Sequence, residues 1–427
     1  MTTVAELFAW AQARTSYDWS AMPSGRPVSA ARPAAVAVLR DLLRDSGEDD
    51  RLRLADLDDT DLLRRLQLLR DDGTLTNAGA LLTCAGSDPR IVYLGRHAAS
   101  AAAAHRVELS GRGLAEELQR TLDTLDAQTT TFRLAFSQAV LGVVGAVPAP
   151  AAREALVNAI MHRDWNRPEP IVVEQTTDRL VISSPGGLYG GVTLDTLLTS
   201  RSQTRNRVLG DALRSLRLAE REGTGVDRMY IEQIRLGHPP PAFEERDGGV
   251  RVALVGGEPN ASVLAVHNAL PPTMRDDARA AIAIDLLRSA ASITRDDLAR
   301  RVREGDDELE AFLLRATAEG LLTKTAEPRP GGMPAWRLAD RVRTALGSVL
   351  PYYSRPIEES VLLVAQLAVQ QGSVRNRDVQ DLLGVNQPRA SQILRRAVQD
   401  GELRLADGAK ATGRGTAYVP AASHPTP

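Results

Sequence analysis

The order of polar residues and glycines between positions 150 and 230 constrains this chain more than any other feature. The segment reads as a polar-striped helix, two strands, a paired-glycine turn, a polar loop, and a Gly-x-Gly turn opening a second helix. In Arg153-Glu154-Ala155-Leu156-Val157-Asn158-Ala159-Ile160-Met161-His162-Arg163-Asp164, the apolar Leu156, Val157 and Ile160 predict a helix with one buried face. Glu154, Asn158 and His162 then fall at i, i+4 and i+8, a single polar stripe on that helix. A bland surface stripe more often carries Glu–Lys pairs, and an interior Asn is a weak helix former that calls for a reason. The stripe therefore predicts the wall of a site.

Two strands follow, Ile171-Val172-Val173-Glu174 and Arg179-Leu180-Val181-Ile182-Ser183, joined by Thr176-Thr177-Asp178. The second runs into Ser184-Pro185-Gly186-Gly187-Leu188, where paired glycines allow backbone to approach a ligand closely. Further on, Glu222-Gly223-Thr224-Gly225-Val226-Asp227 places a Gly-x-Gly turn at a helix start, where free backbone N–H groups can hold phosphate. Singly, a Gly-Thr-Gly is more often a turn than a phosphate cradle, and paired glycines after a strand are usually a bend. Their order carries the weight. Val250–Val255 reads as the closing strand of the block.

That order resembles the ATP-binding domain of the gyrase, histidine kinase and MutL superfamily. It is most similar to the branch found in transcriptional regulators with RecG-like C-terminal or Schlafen AlbA-type ATP-binding domains. The residues that carry the resemblance are Arg153 to Ala159, His162-Arg163-Asp164, Ser184 to Leu188, Arg205-Asn206 and Glu222 to Gly225. It covers about residues 15–255 and is specific over 150–230. It implies an α/β fold, an α+β sandwich of GHKL (Bergerat) type, holding ATP and Mg2+.

On the resemblance, Asn158 coordinates Mg2+ through its amide oxygen, a suitable hard ligand. Glu154 is the general base that orients a water onto the γ-phosphate. His162 either joins Asn158 in binding the nucleotide or packs beside Trp165 as a helix-end residue. Ser184, Gly186 and Gly187 line the adenine pocket, and Gly223, Thr224 and Gly225 bind phosphate from the lid end. Ser184 departs from the superfamily's usual Asp and is a weaker acceptor for the adenine amino group, and the lid, about residues 189–222, is short. No Gly-x-x-x-x-Gly-Lys-[Ser/Thr] loop exists, which argues against a P-loop helicase motor. The chain starts at what resembles the family's connector, so a complete AlbA-type N-terminal domain is expected to be lacking.

The remaining sequence sets the domain expectations. Residues 1–33 read as an N-terminal arm or connector, 34–146 as an α/β connecting module, and 147–257 as the GHKL-like domain. Within the module, 91–95 and 106–109 have strand character, while 112–135 look helical with Leu114, Leu118, Leu122 and Leu125 at helical spacing. Residues 275–340 and 355–420 each read as helix, helix, helix and two short strands, the pattern of a winged helix. In the second, the helix from Gln387 to Gln399 points Ala390, Ile393, Leu394 and Val398 inward and offers Gln387, Arg389, Ser391, Gln392, Arg395 and Arg396 outward. Arg and Gln suit base-edge contacts in the major groove, and Lys410 and Arg414 on the wing suit phosphates. In the first unit, residues 306–320 are acidic and repel phosphate, which suits a spacer or dimerisation unit.

With a net charge of −2 there is no global basic field, so any DNA binding is local. The single cysteine, Cys84, excludes an internal disulfide and a multi-cysteine zinc site, and fits a reducing compartment. No apolar run approaches the ~18 residues of a membrane span, so the protein is expected to be cytoplasmic. The expectation is a nucleotide-responsive transcriptional regulator, homodimeric, whose partners are double-stranded DNA and nucleotide. Alternatives are a slow Mg2+-dependent ATPase, or an interaction protein with a decayed pocket.

Overall fold

A computed structural model describes residues 17–96, 103–108, 110–136, 139–200, 203–219, 224–325, 333–350, 357–383, 387–406 and 416–421. The chain forms two compact units, Met1–Val349 and Leu350–Pro427.

The first unit begins with a 3-10 turn at Trp19–Ala21 and strand β1 (Pro23–Pro27), followed by helices α1 (Pro33–Asp45), α2 (Asp49–Ala55) and α3 (Asp59–Arg65). The aspartate run starts α3 as its chemistry dictates: the Asp58 carboxylate accepts from the Asp61 N–H at 3.0 Å, and Leu62 and Leu63 are buried. Strand β2 (Thr74–Thr76) pairs with β1 and leads into α4 (Asn77–Thr83), capped by the Thr76 hydroxyl accepting from the Gly79 N–H at 3.1 Å. The arm is tied down. Trp19 stacks on Trp165 with centroids 6.3 Å apart, and Asp18 and Ser20 accept from the backbone N–H groups of Val208 and Leu209.

Strands β3 (Ile91–Arg96) and β4 (Ala103–Glu108) precede helix α5 (Leu114–Gln128) and the hairpin β5 (Thr131–Phe136) and β6 (Ala139–Gly145). The helix read over 112–135 thus stops at Gln128, where Thr129-Thr130-Thr131 begins a β-branched run that favours strand. Next come α6 (Ala149–His162), β7 (Ile171–Gln175), β8 (Arg179–Pro185), α7 (Arg207–Ser215), α8 (Gly225–Arg235), β9 (Ala242–Arg246) and β10 (Gly249–Val255).

Six of these strands form one sheet in the order β4-β3-β7-β8-β10-β9. Only β3 and β7 run parallel; the other neighbours are antiparallel. The β7–β8 hairpin closes through the Thr176 N–H donating to the Arg179 carbonyl at 2.8 Å. Helix α5 packs on β3, and α6 packs on β8 and β10. The fold of this unit is mixed α/β. Because β3 joins β7, strands from 34–146 and from 147–257 share one hydrogen-bonded sheet.

Strand β7 alternates buried and half-buried positions, with Ile171, Val173 and Gln175 inward. The inward polar residue is satisfied: the Tyr93 hydroxyl donates to Gln175 Oε1 at 2.8 Å, and Gln175 Nε2 donates to Thr129 Oγ1 at 3.0 Å. Burial pushes the Tyr93 phenol up to about 12.

Beyond the sheet lie α9 (Ala261–Asn268), α10 (Pro272–Arg275), α11 (Ala278–Ser289), β11 (Ile293–Thr294), α12 (Arg295–Val302), α13 (Asp306–Ala318), β12 (Leu322–Lys324), β13 (Ala335–Leu338) and α14 (Asp340–Leu346). Helix α8 is sandwiched between α6 and α11. The three short strands pair in the order β11-β13-β12.

The second unit repeats this element order: α15 (Ile357–Gln371), β14 (Val374–Arg375), α16 (Asn376–Leu383), α17 (Gln387–Gln399), β15 (Leu403–Leu405) and β16 (Ala417–Pro420). Its strands pair as β14-β16-β15, the same middle-strand arrangement. Its core holds Val361, Val364, Ala368, Val379, Ile393 and Leu394. Ala397, not Val398, completes the inward face of α17, because the buried stripe follows 390, 393, 394, 397 and leaves Val398 37% exposed. Among the described residues no helix is long and apolar enough to cross a membrane.

Replacing Tyr93 by Phe leaves Gln175 Oε1 buried without its donor, which costs about 1–3 kcal/mol. Urea denaturation should read that loss, and Gln175→Leu added to Tyr93→Phe should recover part of it. An unchanged midpoint for Tyr93→Phe alone would contradict the pairing.

Candidate functional site

The polar stripe on α6 faces a cavity of about 150 Å³ lined by the sheet, α6, α8, the 189–200 loop and Gln203. Glu154, Asn158 and His162 all line it, one turn apart, as helical spacing requires. From the end of β8 come Ser184, Gly186 and Gly187, and from the start of α8 comes Gly225. Gly186 and Gly187 and, about 40 residues on in sequence, Gly225 open onto one space.

The close approach at Gly225 is specific. A Cβ placed there would lie 2.7 Å from Glu154 Oε2 and 3.2 Å from Asn158 Nδ2. The bare backbone lets α8 begin near the two side chains, whose ends would have to shift to admit a Cβ. Thr224 is the exposed N-cap of this helix and does not line the cavity; Gly223 lies outside the described residues.

Gly186 is required for a different reason. Its φ is +99°, and an added Cβ would meet Asp164 at 2.9 Å. The turn is held by the Asp164 N–H donating to the Pro185 carbonyl at 2.9 Å and the Gly186 N–H donating to the Gly248 carbonyl at 3.0 Å. Asp164 itself forms a local turn, accepting from the Asn166 backbone N–H at 3.1 Å, and does not line the cavity.

The Ser184 hydroxyl is buried and donates to the Ala159 carbonyl of α6 at 2.8 Å. With its proton committed, the oxygen has only lone pairs left to offer the cavity. Glu154 is buried in the wall, 5% exposed. His162 is held neutral: burial, then the neighbouring Arg205 and Arg214 guanidinium groups, lower its pKa to about 4.

Several residues of the site were not singled out in the sequence. Ile182, Val250, Val252 and Phe243 supply an apolar floor from the sheet. Phe243 stands on the edge strand β9, so only the fold brings it here. Arg205, read only as part of a motif, is a clamp: Nε donates to the His162 carbonyl at 3.0 Å and Nη2 to the Gly187 carbonyl at 2.9 Å, joining the end of α6 to the glycine turn. Asn206 is fully buried and donates to the Met161 and Arg163 carbonyls, both at 2.9 Å. Arg214 is the only cationic side chain lining the cavity among the described residues.

In the second unit, Gln387, Arg389, Ser391, Gln392, Arg395 and Arg396 all stand on α17. Gln387, Gln392, Arg395 and Arg396 are exposed. Ser391 accepts from Asn376 Nδ2 at 2.8 Å, Arg389 donates to Gln392 Oε1 at 2.8 Å, and Arg396 pairs with Asp400 at 2.9 Å. Lys410 and Arg414 lie outside the described residues.

The His162 imidazole titrates near 6.5 in the unfolded chain and near 4 in the folded one. The unfolded state therefore takes up the proton first. The stability this group contributes is full above 6.5 and is lost as pH falls toward 4. His267, also lowered to about 4, mainly by burial, adds its own slope. Urea midpoints for His162→Gln should fall less between neutral pH and mild acid than those of the wild type; parallel slopes would contradict the burial argument.

Residues 169–254 match the family model described as "Putative ATP-dependent DNA helicase recG C-terminal", which spans β7 to β10. No curated protein matches the chain. Among solved structures, the DIP2311 protein from Corynebacterium diphtheriae is similar, with a TM-score of 0.69 and 31% identity over 80% of this chain and 68% of that one. The chain belongs to the family of proteins that carry this RecG C-terminal, ATPase-like domain.

Proposed function

We propose that the chain is a nucleotide-responsive DNA-binding regulator, holding ATP with Mg2+ in the α6–α8 cavity and binding double-stranded DNA through its C-terminal unit. The observation that carries the nucleotide half is the convergence of Glu154, Asn158, Ser184, Gly186, Gly187 and Gly225 on one cavity. The adenine lies on the apolar floor, with Ser184 Oγ accepting from its amino group. The phosphates lie toward the N-terminus of α8, whose dipole and free N–H groups favour anions.

The site suits Mg2+ of the kind that keeps waters and phosphates as most of its ligands. Among the described residues no cluster of three or more His, Cys, Asp and Glu side chains offers a full protein cage. The space in front of Gly225 is nevertheless flanked by the Asn158 amide and the Glu154 carboxylate. Asn158 would hold the ion, which supplies charge neutralisation to the phosphates. Glu154 is placed to orient a water for slow hydrolysis. Neutral His162 offers a ring nitrogen without adding charge.

The DNA half rests on the α15 to β16 arrangement, which has the helix and strand order of a winged helix, with α17 as recognition helix. Gln387, Gln392, Arg395 and Arg396 are the exposed side chains suited to bases and phosphates. Ser391 and Arg389, engaged with Asn376 and Gln392, position their neighbours. Lys410 and Arg414 are proposed phosphate contacts from the wing. We read 1–33 as arm, 34–146 as connecting module, 147–257 as nucleotide domain, 275–340 as a non-DNA winged-helix-like spacer and 355–420 as DNA-binding domain, in a cytoplasmic homodimer reading a palindrome.

Calorimetric titration with ATP and Mg2+ should give binding by the wild type, weakened more than about tenfold by Asn158→Ala. Phosphate release, if present, should fall by about 10²-fold or more in Glu154→Ala with binding retained. A gel shift should show DNA affinity that changes when nucleotide is added. Absence of nucleotide binding by the wild type overturns the nucleotide half, and equal DNA affinity with and without nucleotide overturns the gating.

A further inference from the structure

A second cavity, of about 300 Å³, lies beyond the first turn of α8, between it, the 189–200 loop and the helices of 272–304. Asp227, two residues past Gly225, lines it from α8. Facing it are Thr273 and Asp276 from α10, Asp277 at the N-cap of α11, Arg279 on α11, and Glu304 after α12. Leu198 of the loop over the nucleotide cavity closes the same space. Tyr230, one turn along α8 and next to Arg301, is the titratable neighbour on the same helix.

Arg279 organises this cluster. Its guanidinium holds Asp277 at 2.8 Å and Glu304 at 3.2 Å, and lies 5.4 Å over the Phe312 ring. Both anions it holds also act on Asp227. Burial first, then Asp277 and Glu304, raise the Asp227 carboxyl to about 6, against the opposing pull of Arg279. The carboxyl thus changes charge in a range open to the folded protein.

Helix α8 therefore carries two groups at its positive end. Gly225 lies beside Glu154 and Asn158 at the nucleotide cavity, and Asp227 lines the cavity shared with the helices of 272–304. A carboxylate and a phosphate compete for the same helix pole.

We propose that Asp227 is a positioning residue for the nucleotide site, setting the charge and seating of the Thr224–Gly225 turn and coupling phosphate binding there to the packing of the 275–340 helices. This rests on the nucleotide reading above. Phosphate arrival and loss of the Asp227 charge favour one another, and the Arg279 cluster senses both.

The test is calorimetry on the full chain with a non-hydrolysable ATP analogue and with adenosine, from about pH 5 to pH 8. Wild type is compared with Asp227→Asn. Both carry the titration of the ligand's own phosphate, so the ratio of their affinities isolates Asp227. For the analogue, the wild type should equal the variant at the acid end and bind about two- to fivefold more weakly at the alkaline end. For adenosine, which has no phosphate, the ratio should stay flat. Arg279→Gln removes the opposing cation and should move the midpoint to higher pH, a second arm if Asp227→Asn misfolds. A flat analogue ratio, or an unmoved midpoint in Arg279→Gln, overturns the positioning role alone. Failure of the wild type to bind the analogue at any pH overturns the underlying reading with it.

Discussion

The site depends on the backbone of α8 starting directly against two side chains of α6. Residue 225 has no Cβ; one added there would lie 2.7 Å from Glu154 Oε2 and 3.2 Å from Asn158 Nδ2, so those side-chain ends would have to shift. The bare glycine lets the start of α8 lie close to the polar helix. The six-stranded sheet fixes the other dimension. Helix α6 lies on β8 and β10, and the Ser184 hydroxyl ties the end of β8 to α6. The cavity is what remains between elements whose spacings are set by glycine and by one buried hydroxyl.

Around that frame the backbone carbonyls at the end of α6 are bonded by side chains, while Asn206 Oδ1 is buried without a hydrogen-bond partner. Arg205 and Asn206 bond the carbonyls at the end of α6, which a helix terminus leaves without intrahelical partners. This holds His162 and the Gly186 turn in register while His162 stays uncharged. On the far side, Asp227 and Arg279 place titratable charge next to the same helix end.

The local parts of this design were legible in sequence because their signals are local. The 3.6-residue period gave α6 and its stripe at 154, 158 and 162; the glycines marked the turn at 186 and the start of α8 at 225; the Thr-Thr-Asp linker marked the β7–β8 hairpin. In the second unit the three helices and the last two strands were legible, but the two-residue strand β14 (Val374–Arg375) between the first and second helices was too short to show a period. What was not legible is non-local. The parallel pairing of β3 with β7 depends on strands some 80 residues apart, and nothing in either strand names its partner. Phe243, Val250 and Val252 reach the cavity only through the sheet order. The strand at Thr131 was hidden by the leucine period preceding it, and Val398 was misplaced by one position on an otherwise correct helix face. Asp227 carried no signal in the sequence; its surroundings come from the 275–340 helices packed beside it.

The claim on which all else stands is that the α6 stripe and the two glycine turns form one nucleotide site. A crystal of the full chain grown with a non-hydrolysable ATP analogue and Mg2+ tests it directly. The account predicts difference density with the base on the Ile182–Val252 floor beside Ser184 and the phosphates between Asn158 and Gly225. An empty cavity at saturating analogue, or analogue bound elsewhere on the chain, would contradict it.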